Sequence, residues 1–186
     1  MDDGEWWDVV DADGEATGEK FLRGAPGWPA GRFHLIVATC LVRDDGMVLL
    51  TQRASGKEFG YGWEFPGGSA IAGETSRVAA RRELYEETGV AVAPEHFTLV
   101  GRFVEASALL DFYIAQATPH LELHLQASEV MAAAWATPSD VERRVDAQLM
   151  ALPWIARLET LWPKTKAMIS AAPIADRRTG LPTRLG

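Results

Sequence analysis

A single α/β domain is predicted by three features of the 186-residue chain. The first is His34 to Val42, almost continuously apolar and β-prone, with a second such run at residues 47–51 across an Asp44-Asp45-Gly46 turn, as two paired central strands require. The second is a helical pattern over residues 75–88, closed by Gly89 as a C-terminal cap. The third is the succession that follows: strand-like runs at residues 97–104, 109–115 and 131–136, then helical stretches at residues 138–144 and 146–162.

The elements are justified in chain order. Trp6-Trp7-Asp8-Val9-Val10, the acidic turn Asp11-Ala12-Asp13-Gly14, and Gly18-Glu19-Lys20-Phe21-Leu22 predict a small hairpin. Asp11, Asp13 and Gly14 share the start of a calcium loop, but the further acid and late glutamate that such a loop needs are missing. Residues 24–31 are dense in glycine and proline and read as a connecting loop. Residues 1–31 therefore form a hairpin and loop belonging to the same domain, residues 32–170 its body, and residues 171–186, with Pro173, Pro182 and little apolar periodicity, a tail. A hairpin this small cannot bury both Trp6 and Trp7, which predicts a homodimer.

Composition narrows the function. With 47% hydrophobic and 24% charged residues the chain can bury a core of its own. Its formal net charge of -8 repels a nucleic-acid polymer but allows a small phosphorylated metabolite, since bound cations can reverse the field inside one pocket. The single cysteine, Cys40, excludes an intramolecular disulfide. The acidic first residues do not resemble a secretory signal, and the longest apolar run, residues 35–42, is far too short to span a bilayer. These features predict a soluble, cytoplasmic protein without membrane partners.

The chemistry concentrates in residues 68–90. At about 100° per residue, Glu87 lies about 40° from Glu83 and Glu86 about 60° to its other side, so three carboxylates share one helix face. Ala79 and Ala80 fall on the same side and leave room, while Leu84, Val78 and Tyr85 point elsewhere and can pack into the fold. Such a cluster is either a solvated acidic face or a seat for hard divalent cations, which prefer oxygen ligands.

The surrounding spacing decides between them. Gly68, Glu74, Arg82, Glu83, Leu84, Glu86, Glu87, Gly89 and Val90 fill every specified position of a pattern in which a glycine, a glutamate and an Arg-Glu-aliphatic-x-Glu-Glu-x-Gly-aliphatic run follow at fixed intervals. This stretch resembles the Nudix box. Leu49-Leu50-Thr51-Gln52-Arg53 with Trp63-Glu64-Phe65-Pro66-Gly67-Gly68 is similar to the usual approach to the box, and Glu129-Val130 with Trp135 to the usual exit strand. The resemblance implies an α/β/α sandwich around a mixed sheet, and hydrolysis of a nucleoside diphosphate linked to another moiety by attack of water on phosphorus. Glu83, Glu86 and Glu87 would hold Mg2+, or alternatively Mn2+. Arg82 would orient one of these glutamates, and Glu74 would tie the loop to the helix. Gly68 and Gly89 would serve backbone geometry, and Gly67 and Gly68 would lie with Arg53 and Trp63 on the substrate side, Arg53 touching phosphate and Trp63 either stacking on a base or packing in the core. Ala134 leaves one common place for a further base empty, so Glu129 joins Glu86 and Arg82 in the candidate catalytic set, with Glu105 behind it.

Residues 7–18 resemble the start of the isopentenyl-diphosphate isomerase-like branch of the same superfamily, which makes an isomerase the principal rival. That reading needs a cysteine just before the box glycines, where this chain has Phe65-Pro66-Gly67, and Cys40 lies in another strand. A non-catalytic nucleotide sensor is the third reading, against which stands the full set of box glutamates.

Overall fold

The computed structural model describes residues 4–118 and 121–171; the predicted tail beyond Ala171 lies outside them. The N-terminal hairpin pairs β1 (Trp6–Val10) with β2 (Ala16–Leu22) in antiparallel fashion. It docks on the body through reciprocal hydrogen bonds between Val10 and Phe33, of 2.8 and 3.0 Å. Trp7 stacks on His34 with ring centroids 4.1 Å apart, and Trp28 meets both rings edge-on. The hairpin thus covers Trp7 within the same chain, which removes one of the two rings that suggested a dimer, while Trp6 stays 49% exposed.

The body is a mixed sheet. β3 (His34–Val42) runs parallel to β8 (Ala108–Gln116), and the ladder continues as β5 (Trp63–Glu64), β4 (Val48–Arg53), β3, β8 and β7 (Thr98–Val104), every pair except β3 with β8 antiparallel. β6 (Gly67–Ser69) adds to β3, and β9 (Val130–Ala136) to β4. Alternation along β3 separates two apolar layers. Ala38, Cys40 and Val42 face α2 (Pro138–Asp146) and α3 (Pro153–Ala171), where Trp154, Leu158, Leu161 and Trp162 close the core. Val37 and Leu41 face α1 (Ser76–Thr88) and meet Ala79, Ala80 and Leu84, so the two alanines pack in the core with Leu84 instead of leaving room beside the carboxylates. The fold is the predicted α/β/α sandwich.

The second C-terminal helix departs from expectation. Residues 147–152 are not helical: Gln148 takes a left-handed φ of 55°, and Met150 bridges to Trp63 beside β5. Pro153 then opens α3, its missing N–H costing nothing in a first turn. The helix passes through Pro163 to Ala171 because its apolar stripe, from Trp154 through Leu158 and Trp162 to Ile169, is buried along its length and outweighs one lost backbone bond.

Candidate active site

The approach to α1 is a tight corner. A Cβ on Gly67 would overlap the carbonyl of Val37, so that position needs glycine for close approach rather than for a special φ, while one on Gly68 would lie 2.6 Å from the Glu83 carboxyl carbon and push that carboxylate aside. Thr75 caps the helix by accepting from the Val78 N–H, and Gly89 ends it in the left-handed conformation with its N–H donating to the Tyr85 carbonyl at 2.7 Å. These local signals place Glu83, Glu86 and Glu87 where the helical periodicity predicts, on one face above β6.

The three carboxylates differ in environment. Glu86 is half-exposed and Glu83 mostly covered, while Glu87 is 5% exposed. The Glu87 carboxylate accepts from the Gly67 N–H at 3.2 Å, and its backbone carbonyl from the Gln126 N–H at 3.1 Å. Burial pushes its pKa well above the usual carboxylate range, and the like charges of Glu64 and Glu83 push it further. Burial also raises Glu83, against the pull of Arg82.

Arg82 organises this cluster. Its Nε and Nη2 donate to the two oxygens of Glu74 at 2.8 and 2.9 Å, its Nη1 to Glu83 at 2.8 Å and Glu86 at 3.0 Å, and its Nη2 also to the Ser69 carbonyl at 2.9 Å. Glu74 further accepts from the Ile71 N–H, which ties the loop preceding α1 to the helix. Among the described residues no three acidic, histidine or cysteine side chains converge on a single ion-sized point as they stand, since the guanidinium lies between Glu83 and Glu86. The donor chemistry nevertheless fits a hard divalent cation. Clustered carboxylate oxygens include one buried at Glu87 with no side-chain cation bonded to it, and Gly67 and Gly68 hold the backbone close against Glu83 and Glu87.

These residues line a cleft of about 510 Å3. It brings together Arg53, Gly67, Gly68, Arg82, Glu83, Glu86, Glu87 and Glu129 from the sequence prediction. The Lys57 ammonium is ion-paired with Glu129, and the Arg53 guanidinium is held by Glu64 at 2.8 Å and by the Glu58 carbonyl at 2.7 Å. Trp63 is not brought to the cleft: it packs against the core on the α2–α3 side with Arg144 stacked over its ring at 5.0 Å, so of the two roles considered for it the core role agrees with this placement. Glu105 lies outside the lining, where Arg157 pairs with it at 2.7 Å.

Several lining residues have no counterpart in the sequence reading. Glu64 is nearly buried, with its pKa raised by burial despite Arg53. The pairing of β5 with β4 brings it to Arg53, and the glycine-rich stretch containing Glu64 carried no strand signal from which to read that pair. Glu5 and Arg23, ion-paired at 2.9 Å, come from the hairpin, and Arg157 comes from α3; no local pattern joins them to the box.

Comparison with known proteins agrees with this geometry. The description "NUDIX domain" matches residues 32–158. An uncharacterised Nudix hydrolase of Listeria monocytogenes is 37% identical over 93 residues, 47% of this chain and 53% of that protein. A CTP pyrophosphohydrolase of Escherichia coli is 32% identical over 109 residues, 56% of this chain and 76% of that protein. The chain spans about half the length of the Listeria relatives it matches. Among solved structures, DR0079 from Deinococcus radiodurans superposes with a TM-score of 0.71 at 20% identity, covering 85% of this chain and 99% of the other.

Proposed function

Because this chain belongs to the Nudix domain family, we propose that it is a divalent-metal-dependent pyrophosphohydrolase, cleaving the diphosphate linkage of a nucleoside diphosphate derivative or related organic pyrophosphate by attack of water on phosphorus. The observation that carries this reading is Glu87, a carboxylate buried beside Glu64 and Glu83. An anion placed so is costly unless a cation joins it, and the cluster already faces a cleft wide enough for a nucleotide.

Glu83, Glu86 and Glu87 would hold the cation in this mechanism, with Arg82 fixing the directions of Glu83 and Glu86. A bound Mg2+ or Mn2+ supplies counter-charge for the diphosphate and lowers the pKa of the attacking water. Glu129, steered by Lys57 at the cleft edge, accepts a proton from that water. Arg53 binds phosphate only by loosening its hold on Glu64, so it contributes after substrate arrives. The isomerase alternative is disfavoured because no cysteine lines the cleft among the described residues, and Cys40 is buried in β3 with its thiol pKa pushed up by burial. A sensor that binds without cleaving is disfavoured by the intact carboxylate set.

The test is a screen of nucleoside triphosphates, nucleotide sugars, dinucleotides and isoprenoid diphosphates with magnesium, scored for phosphate-containing products. Turnover that disappears in excess chelator and returns with magnesium supports the reading, and full turnover in chelator overturns it. No helix among the described residues is long and apolar enough to cross a membrane. Homodimerisation rests on exposed Trp6 alone; a monomer mass by light scattering at micromolar concentration removes it.

A further inference from the structure

The loop between β4 and β5 carries two aromatic residues in a conformation that bulky side chains avoid: Phe59 at φ 55° and Tyr61 at φ 66°. The loop is not loose. Lys57 N–H donates to the Ala54 carbonyl, Gly60 N–H to Lys57, Gly62 N–H to Phe59, and Tyr61 N–H to Arg53, all at 3.0–3.1 Å. The Arg53 side chain donates to Glu58 and that of Gln52 to the Tyr61 carbonyl. A strained residue survives only where its surroundings over-determine it, and such residues concentrate at functional sites. Of the two, Phe59 lines the cleft and Tyr61 does not. The Phe59 residue remains 39% exposed there, so it is not a core side chain and keeps surface open to the cleft.

We propose that Phe59 is a specificity-determining residue of this cleft, a preset platform on which the nucleobase of a nucleoside diphosphate derivative stacks. The proposal rests on the pyrophosphohydrolase reading for its ligand class. A planar heterocycle fits better than an isoprenoid chain because Arg53, Lys57 and Glu58, neighbours of Phe59 in the same loop and strand end, line the same cleft. A base offers a π face to the ring and polar edges to these groups, whereas a hydrocarbon tail would leave them desolvated. Trp63, the other candidate for stacking, is outside the lining.

The experiment measures binding by calorimetry with magnesium, using the α,β-methylene diphosphates of adenosine, guanosine, cytidine and uridine, the methylene analogue of dimethylallyl diphosphate, and methylene bisphosphonate alone. Phe59→Gly removes the ring at a backbone angle that glycine accepts without strain, so the fold is not at risk. For the nucleoside probe bound best by the wild type, this variant should weaken affinity about ten- to a hundredfold, the range of one lost base–aromatic stack. Phe59→Trp should restore it. Tyr61→Gly, which relaxes the same loop outside the cleft, should leave it unchanged, and methylene bisphosphonate should bind all variants alike. The proposal is overturned if Phe59→Gly binds the nucleoside probe as the wild type does, or loses bisphosphonate by the same factor. It is also overturned if the wild type binds no nucleoside probe more tightly than bisphosphonate, or if only the dimethylallyl analogue depends on Phe59. Phe59-dependent binding without hydrolysis of the parent nucleotides upholds this inference and refutes the hydrolase reading.

Discussion

Replacing Arg82 by glutamine removes all five hydrogen bonds that its guanidinium donates. The side chain of Glu86 is 47% exposed, so that contact is screened by water and adds little. Glu74 and Glu83, at 13% and 15% side-chain exposure, are the partners that matter, because the variant leaves both carboxylates partly buried and unpaired. Breaking a fully buried pair costs about 3–5 kcal/mol. Arg82 keeps 22% of its side chain in solvent, which places the expected loss at the lower end, about 3 kcal/mol. For a chain of this size that corresponds to a fall of roughly 6–12 °C in the melting temperature, measured in chelator. Saturating magnesium should then raise the variant's melting temperature more than that of the wild type, because a cation on Glu83 and Glu86 replaces the missing positive charge. A loss below about 1 kcal/mol in chelator, with equal magnesium shifts, would show that the cluster is solvated and that Arg82 holds nothing in place.

Glu86→Gln keeps the fold, since the position is half-exposed, but should shrink the magnesium-induced melting shift and lower turnover by about a hundredfold or more; retention of both would mean that another carboxylate does the work. Glu87→Gln should raise the melting temperature in chelator at pH 7, since burial has lifted the carboxyl pKa and the folded state binds a proton more readily than the unfolded one. The wild type therefore loses stability as pH rises from about 4.5 through that raised value, and the variant should show a smaller slope; equal slopes would refute the placement of Glu87. His34 has the opposite sign: burial against Trp7 lowers its pKa below the usual 6.5, so the unfolded chain binds the extra proton and stability should fall as pH drops through 6.5, an effect that His34→Gln should reduce in a pH series of melting curves.

What the sequence disclosed and withheld follows from how far each signal reaches along the chain. The carboxylate face of α1 was legible because helical periodicity and the Gly89 cap both act within a few residues. The central strand β3 was legible for the same reason, from its apolar run, whereas its two covering layers were implied only by the resemblance. Contributions from Glu5, Arg23 and Arg157 were not, because they reach the cleft through docking of the hairpin and of α3, and docking leaves no local trace. Phe59 was hidden more deeply: nothing in the word Phe-Gly-Tyr announces a left-handed backbone, which arises only from the surrounding hydrogen bonds. The break at residues 147–152 was hidden by the β-bridge between Met150 and Trp63, a tertiary contact that overrides a helical pattern.

The charge balance of the cleft links these findings. Among the described residues it is lined by seven glutamates and five cationic side chains. Each of those cations is already committed: Arg23 to Glu5, Arg53 to Glu64, Lys57 to Glu129, Arg82 to Glu74, Glu83 and Glu86, and Arg157 to Glu105. A diphosphate entering such a site meets no spare positive charge, and stripping a partly buried arginine from its glutamate leaves an unpaired carboxylate behind. On the proposed function, the first hold on the phosphates must therefore come from cations that the carboxylates recruit, with Arg53 contributing only once it loosens from Glu64, whereas discrimination among organic moieties must come from groups that do not depend on charge. The strained, well-braced Phe59 is such a group, and the division explains how an acidic cleft on an acidic chain can select an anionic ligand.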